Sequence, residues 1–159
     1  LKITTDNRLA QEMVQLFWPL VARPTGFTRP SQPPTFLSYD LAQLLMWHIV
    51  TPMIADGAFV DLRLRPQQIV SQLLDTLNRA ALNGLSLDTA VERQMRTWTG
   101  EPERLRHLEE AARAARSFRQ SCLDNSLLDL SLVVETFDTQ LVRHPEFHRY
   151  FQERFRHLL

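Results

Sequence analysis

Residues 102–122 read PERLRHLEEAARAARSFRQSC and carry the clearest helical pattern in the chain. Pro102 stands where a helix begins, because the first turn does not need the N–H that proline lacks. Apolar side chains follow every three or four positions, which predicts one buried helix face. That face comprises Leu105, Leu108, Ala112, Ala115, Phe118 and Cys122. On the predicted solvent-exposed face, Arg106 and Glu110 have the i, i+4 spacing of a helical ion pair. The stretch predicts a long amphipathic helix.

The same spacing, bounded by proline and glycine, predicts further helices on both sides of this one. Their approximate spans are 9–20, 40–54, 66–83, 87–98, 127–141 and 146–157. Residues 23–35, RPTGFTRPSQPPT, carry four prolines and predict a loop, while FVDLRLRP at 59–66 alternates and predicts a short extended segment. We therefore predict an all-α fold, an irregular bundle of about six or seven helices.

Composition places the chain among soluble globular proteins of one ordinary domain. It has 159 residues, 44% of them hydrophobic and 23% charged, with a formal net charge of zero. Because the net charge is zero, overall electrostatic attraction does not predict nucleic-acid binding. The single cysteine, Cys122, excludes an internal disulfide and predicts a reducing, cytoplasmic compartment. The longest apolar run, residues 41–55, is too interrupted and too short to span a membrane, and no signal peptide is predicted.

No catalytic constellation is present in the sequence. The four glycines are scattered and no G-x-x-x-x-G-K-[ST] phosphate loop occurs. His144 and His148 have the spacing of a metal pair, but Pro145 lies between them and no third ligand follows, so no metal site is predicted. Cys122 lies on an apolar stripe, which favours a core residue over a nucleophile.

Three stretches together resemble the UvrD/Rep-type superfamily 1 DNA helicases. KITTDNRLAQEM, residues 2–13, is similar to that family's V-T-F-T-N-x-x-A-x-E-M, and PTFLSYDLAQLLM, residues 34–46, to its TFHSLxxxLL. Residues 118–159 resemble its run of an aromatic residue, a cysteine, a gLlDF turn, a leucine-rich helix and YRERFxHILVDEFQD. The order and spacing of the three stretches hold over the whole chain.

The resemblance implies a piece of a larger motor, running from just after the ATP-binding loop to just before the acidic motif. Residues 1–38 and 145–159 would be edges of an incomplete RecA-like α/β domain, and residues 39–144 the helical 1B-like subdomain. ATP and Mg²⁺ would be bound by the parent protein, with no cofactor in this piece. The implied partners are single-stranded DNA and the parent's other helicase domains.

The residues that would contact DNA are carried over by motif from the family. They are Thr4, Thr5, Asn7, Thr35, Phe36 and Ser38. Hydroxyl groups suit phosphate oxygens, and rings suit stacked bases. The chain departs from the family where a stacking phenylalanine is replaced by Thr5, a threonine by Asp6 and a histidine by Leu37. These departures leave two interpretations open, a divergent helicase relative and a degenerate one.

Other features have competing explanations. Arg116 and Arg119 lack an acidic partner four residues away; a solvated helix face is the favoured explanation for them, with phosphate contact as the alternative. Among the aromatic residues, Phe17, Trp18, Trp47, Phe118 and Phe137 are predicted in the core, whereas Phe27 and Trp98 are predicted to be freer. The alternative function is a helical protein–protein interaction module that has lost DNA affinity.

Overall fold

The computed structural model describes residues 6–154, except the side chains of Asp6 and Glu103. Within that range the chain folds into eight α-helices and one π-helical turn. The helices are α1 (Asp6–Leu16), α2 (Trp18–Thr25), α3 (Tyr39–Ala55), α4 (Pro66–Leu82), α5 (Leu87–Arg96), α6 (Pro102–Asp124), α7 (Leu130–Thr136) and α8 (Pro145–Arg154), with the π turn at Phe137–Leu141. The predicted mostly helical class is confirmed. No helix within the described range is long and apolar enough to cross a membrane.

Helices begin at residues whose chemistry suits the free N–H groups of a first turn. The Ser38 hydroxyl accepts the Leu41 N–H at 3.3 Å to begin α3, and Ser86 does the same for Thr89 in α5. Pro66 and Pro102 each open a helix, as predicted. Helix α4 ends at Leu82 with Asn83 as its C-cap, and the chain then turns at Gly84, whose φ of +67° favours glycine over other residues.

Two short strands join distant parts of the helical bundle. Strand β1 (Thr35–Phe36) pairs in parallel with β2 (Leu127–Leu128), with Thr35 opposite Leu127 and Phe36 opposite Leu128. The pairing corrects the prediction of a continuous helix over 127–141. Local spacing cannot reveal a strand whose partner lies some ninety residues away, so the helix begins only at Leu130.

Two further segments differ in part from the predictions. The helix predicted over 9–20, in which Pro19 indicates a fray or kink, breaks at Phe17 and restarts as α2 with Pro19 in its first turn, and Leu16 and Leu20 are 53% and 37% exposed. Residues 59–66 form no strand: turns occupy 56–61 and the segment has no ladder partner.

One cluster of buried side chains runs through the described range, from Ala10 in α1 to Phe147 in α8. The predicted core aromatics belong to it or pack against it. Trp18 and Phe118 are buried, while Phe17, Trp47 and Phe137 are half-buried. Phe27 was predicted to be free and is instead buried edge-on against Trp18, with ring centroids 4.6 Å apart. The predicted division at residues 38 and 144 stays a prediction.

Candidate nucleic-acid interface

The segments that carry the helicase resemblance meet at one surface cleft of about 370 Å³. Helix α1 forms one wall, β1 the floor, and the β2–α7 junction the other wall. The lining residues are Asn7, Arg8, Gln11, Phe36, Leu37, Leu128, Asp129, Leu130 and Val133. Tertiary structure thus gathers parts of all three stretches, although they are far apart along the chain.

The floor of the cleft is held by backbone hydrogen bonds across the two strands. The Thr35 N–H donates to the Ser126 carbonyl at 2.8 Å, and the Leu37 N–H donates to the Leu128 carbonyl at 2.8 Å. These two amides are therefore committed to the ladder. They fix Phe36 in place and are not available as phosphate donors.

The structure unites some of the predicted site residues and separates others. Asn7 is exposed and Phe36 half-buried in the cleft wall, so the two lie at one site. Ser38 lies outside that cleft, in an adjoining pocket that shares Leu37 with it, and its hydroxyl caps α3. Thr35 is exposed but does not line the cleft.

The predicted contacts Thr4 and Thr5 lie outside the described residues. Gln11 was missed, although it follows Asn7 by four positions on α1, the spacing that places two side chains on one helix face.

Asp129 was predicted only as part of a turn and is the buried carboxylate of the cleft wall, at 3% exposure. Its Oδ1 accepts the Leu132 N–H at 3.1 Å, and its Oδ2 accepts the Ser131 N–H at 3.2 Å and the Ser131 hydroxyl at 2.7 Å. It is the N-cap of α7. Burial raises the pKa of the Asp129 carboxyl, against the lowering effect of these hydrogen bonds.

Arg116 and Arg119, the alternative candidates for phosphate contact, are both paired with acids from other helices. Arg116 Nε forms an ion pair with Asp88 Oδ1 of α5 at 3.1 Å, and Arg119 forms a bidentate ion pair with Glu135 of α7. The acids come from other helices, so a search four residues along α6 could not find them. Among the described lining residues, Arg8 is the one cation, and it also meets Glu12 at 3.3 Å.

No group of three or more histidine, cysteine, aspartate or glutamate side chains is placed to hold a metal among residues 6–154. The ring of His144 accepts the Glu146 N–H at the start of α8. Cys122 is fully buried, and burial raises the pKa of its thiol, which opposes nucleophilic chemistry.

No protein-family model, curated protein or solved structure matches the chain.

Proposed function

We propose that the chain is part of a divergent superfamily 1 DNA helicase and contributes contacts to single-stranded DNA. The observation that supports this proposal is the convergence of Asn7, Phe36 and Asp129 on one cleft. These residues belong to the three separate stretches on which the helicase resemblance rests. ATP and Mg²⁺ would be bound by other parts of the parent protein.

The cleft chemistry fits weak, sequence-independent contact. The Asn7 amide and the Arg8 guanidinium can donate to phosphate oxygens, and the Phe36 ring offers an apolar surface beside them. With one cation in its described lining, the cleft should neutralise few phosphates. We therefore expect affinity that is modest and falls with salt.

Fluorescence anisotropy with a labelled oligothymidine tests the proposal. For the one phosphate that Arg8 can neutralise, affinity should fall roughly 2.5-fold between about 50 and 200 mM salt. The matched variants are Gln11→Glu and Gln15→Glu, which add the same charge to α1. Gln11 lines the cleft, whereas Gln15 is exposed outside it. Gln11→Glu should weaken binding about threefold more than Gln15→Glu, because its carboxylate faces the phosphates.

Equal effects of the two variants would show that DNA binds elsewhere on the molecule. Absence of any salt-dependent binding by the unmodified chain would overturn the DNA proposal itself.

A specific observation also supports the second candidate, a protein–protein interaction module. Leu41 and Leu44 on the outer side of α3 are 51% and 52% exposed, one helical turn apart, and half-buried Trp47 follows at the same spacing. Apolar faces of this kind mark contact surfaces. If a second copy covers this face, sedimentation should show that the unmodified chain is a dimer and that Leu44→Lys is a monomer. On this alternative, the unmodified chain should also have no affinity for the oligonucleotide.

A further inference from the structure

A second cavity, of about 230 Å³, lies away from the cleft, between α4, α5, α6 and residues 59–64. Its walls are mostly apolar and come from all four of these segments. The main contributors are Leu73, Leu77, Leu87, Val91, Leu108 and Ala111. Val91, the buried residue of α5, lines the cavity together with Leu87 and Ala90 of the same helix.

The wall formed by residues 59–64 is held rigidly in place. Phe59 adopts a left-handed backbone with φ of +62°, which is costly for a bulky side chain. Its N–H donates to Glu110 Oε2 at 2.9 Å, and Arg106 pairs with both Asp61 and Glu110. These contacts tie the segment to α6 and define this wall of the cavity.

The size and lining of the cavity point to a small molecule. Protein interiors are close-packed, and voids larger than a water molecule are few. An engineered apolar cavity of about 150 Å³ holds benzene, so about 230 Å³ has room for two fused rings. The cavity is open to solvent, and its lining includes the exposed Gln72, Thr76 and Gln94.

Of the polar residues in the lining, Gln72, Thr76, Gln94 and His107, only His107 is not exposed. His107 is 12% exposed, and its Nδ1 lies 3.2 Å from Glu110 Oε2. When Nδ1 of the neutral ring donates to that carboxylate, Nε2 is a hydrogen-bond acceptor. We propose that this cavity is a binding site for a compact bicyclic aromatic molecule that donates one hydrogen bond to His107. The site is independent of the nucleic-acid interface.

Titration with indole and with indene tests the proposal, since the two bicyclic probes differ chiefly in the N–H donor. Methyl NMR of the full chain should show saturable shifts at Leu73, Leu87 and Val91. Indole should bind about fivefold more tightly than indene, the size expected for one hydrogen bond. His107→Leu should remove that preference while indene still binds.

Cavity-filling variants supply the control. Ala111→Phe, or Ala90→Phe on the α5 wall if the first does not fold, should weaken both probes at least about tenfold by occupying their space. Ala55→Phe adds the same ring at an exposed position outside the cavity and should bind like the unmodified chain. Lack of saturable binding, equal affinities of the two probes, or binding that survives the filling variants would each overturn the proposal.

Discussion

Asp129 shows how one side chain can serve the fold in a way that motif comparison does not reveal. The motif places it in a turn, but its carboxylate is buried as the N-cap of α7, with Ser131 and Leu132 as donors. The local pattern of an aspartate before a serine and an apolar run is typical of a helix start. Its burial follows only from packing between β2 and the neighbouring helices.

The buried Asp129 carboxyl makes stability depend on pH. Because burial raises its pKa above the unfolded value of about 3.9, the folded state holds the proton more tightly. Its contribution therefore favours folding at low pH and is lost as pH rises from about 3.9 through the raised folded pKa. Asp129→Asn keeps an oxygen acceptor for the cap but cannot ionise, so it should flatten this part of the stability curve.

Urea unfolding at several pH values between about 4 and 7 measures that slope. Asp56→Asn, at an exposed position after α3, is the control and should leave the slope unchanged. If Asp129→Asn retains the full slope of the unmodified protein, the burial of this carboxyl is not its source.

At the scale of elements, α6 and α7 are joined by the Arg119–Glu135 pair. Both charged side chains are mostly out of solvent, with 29% and 17% of their surfaces exposed. Removing one partner leaves the other charge poorly solvated, which makes such a pair costly to break. Surface pairs within one helix behave differently, since water already solvates each charge.

A double-mutant cycle separates these two cases. Arg119→Met and Glu135→Gln should show a coupling energy of about 2 kcal/mol in chemical denaturation, less than a fully buried pair because solvent still reaches both groups. The matched cycle at the exposed Glu92–Arg96 pair of α5 should give about 0.5 kcal/mol or less. Equal coupling in the two cycles would mean that burial adds nothing to the Arg119–Glu135 interaction.

At the scale of the whole molecule, the helicase proposal predicts that this chain hydrolyses no ATP. Hydrolysis needs a phosphate loop with its lysine and an acidic pair that holds Mg²⁺. The printed sequence contains no G-x-x-x-x-G-K-[ST] stretch. Phosphate release assayed with ATP and Mg²⁺, with and without oligothymidine, should stay at the level of buffer alone. Magnesium-dependent release by the pure chain would contradict the assigned position within the motor.

The sequence by itself determined most of the helices, because helical periodicity, caps and prolines act over a few neighbouring residues. The starts at Pro66 and Pro102 and the burial of Ala112, Ala115, Phe118 and Cys122 on α6 follow from such local rules, whereas Leu105 and Leu108 of the predicted face are only half-buried. The sequence also carried the family resemblance that led to Asn7 and Phe36.

Only the tertiary structure decided which segments of the chain contact each other. Contacts between separate segments include the parallel pairing of β1 with β2 and the ion pairs of Arg119 and Arg116 with acids on other helices. Such contacts depend on how helices pack around a shared core. The spacing of residues along one helix does not predict which other helices pack against it. The cleft and the His107 cavity arise in the same way, since several segments enclose each of them.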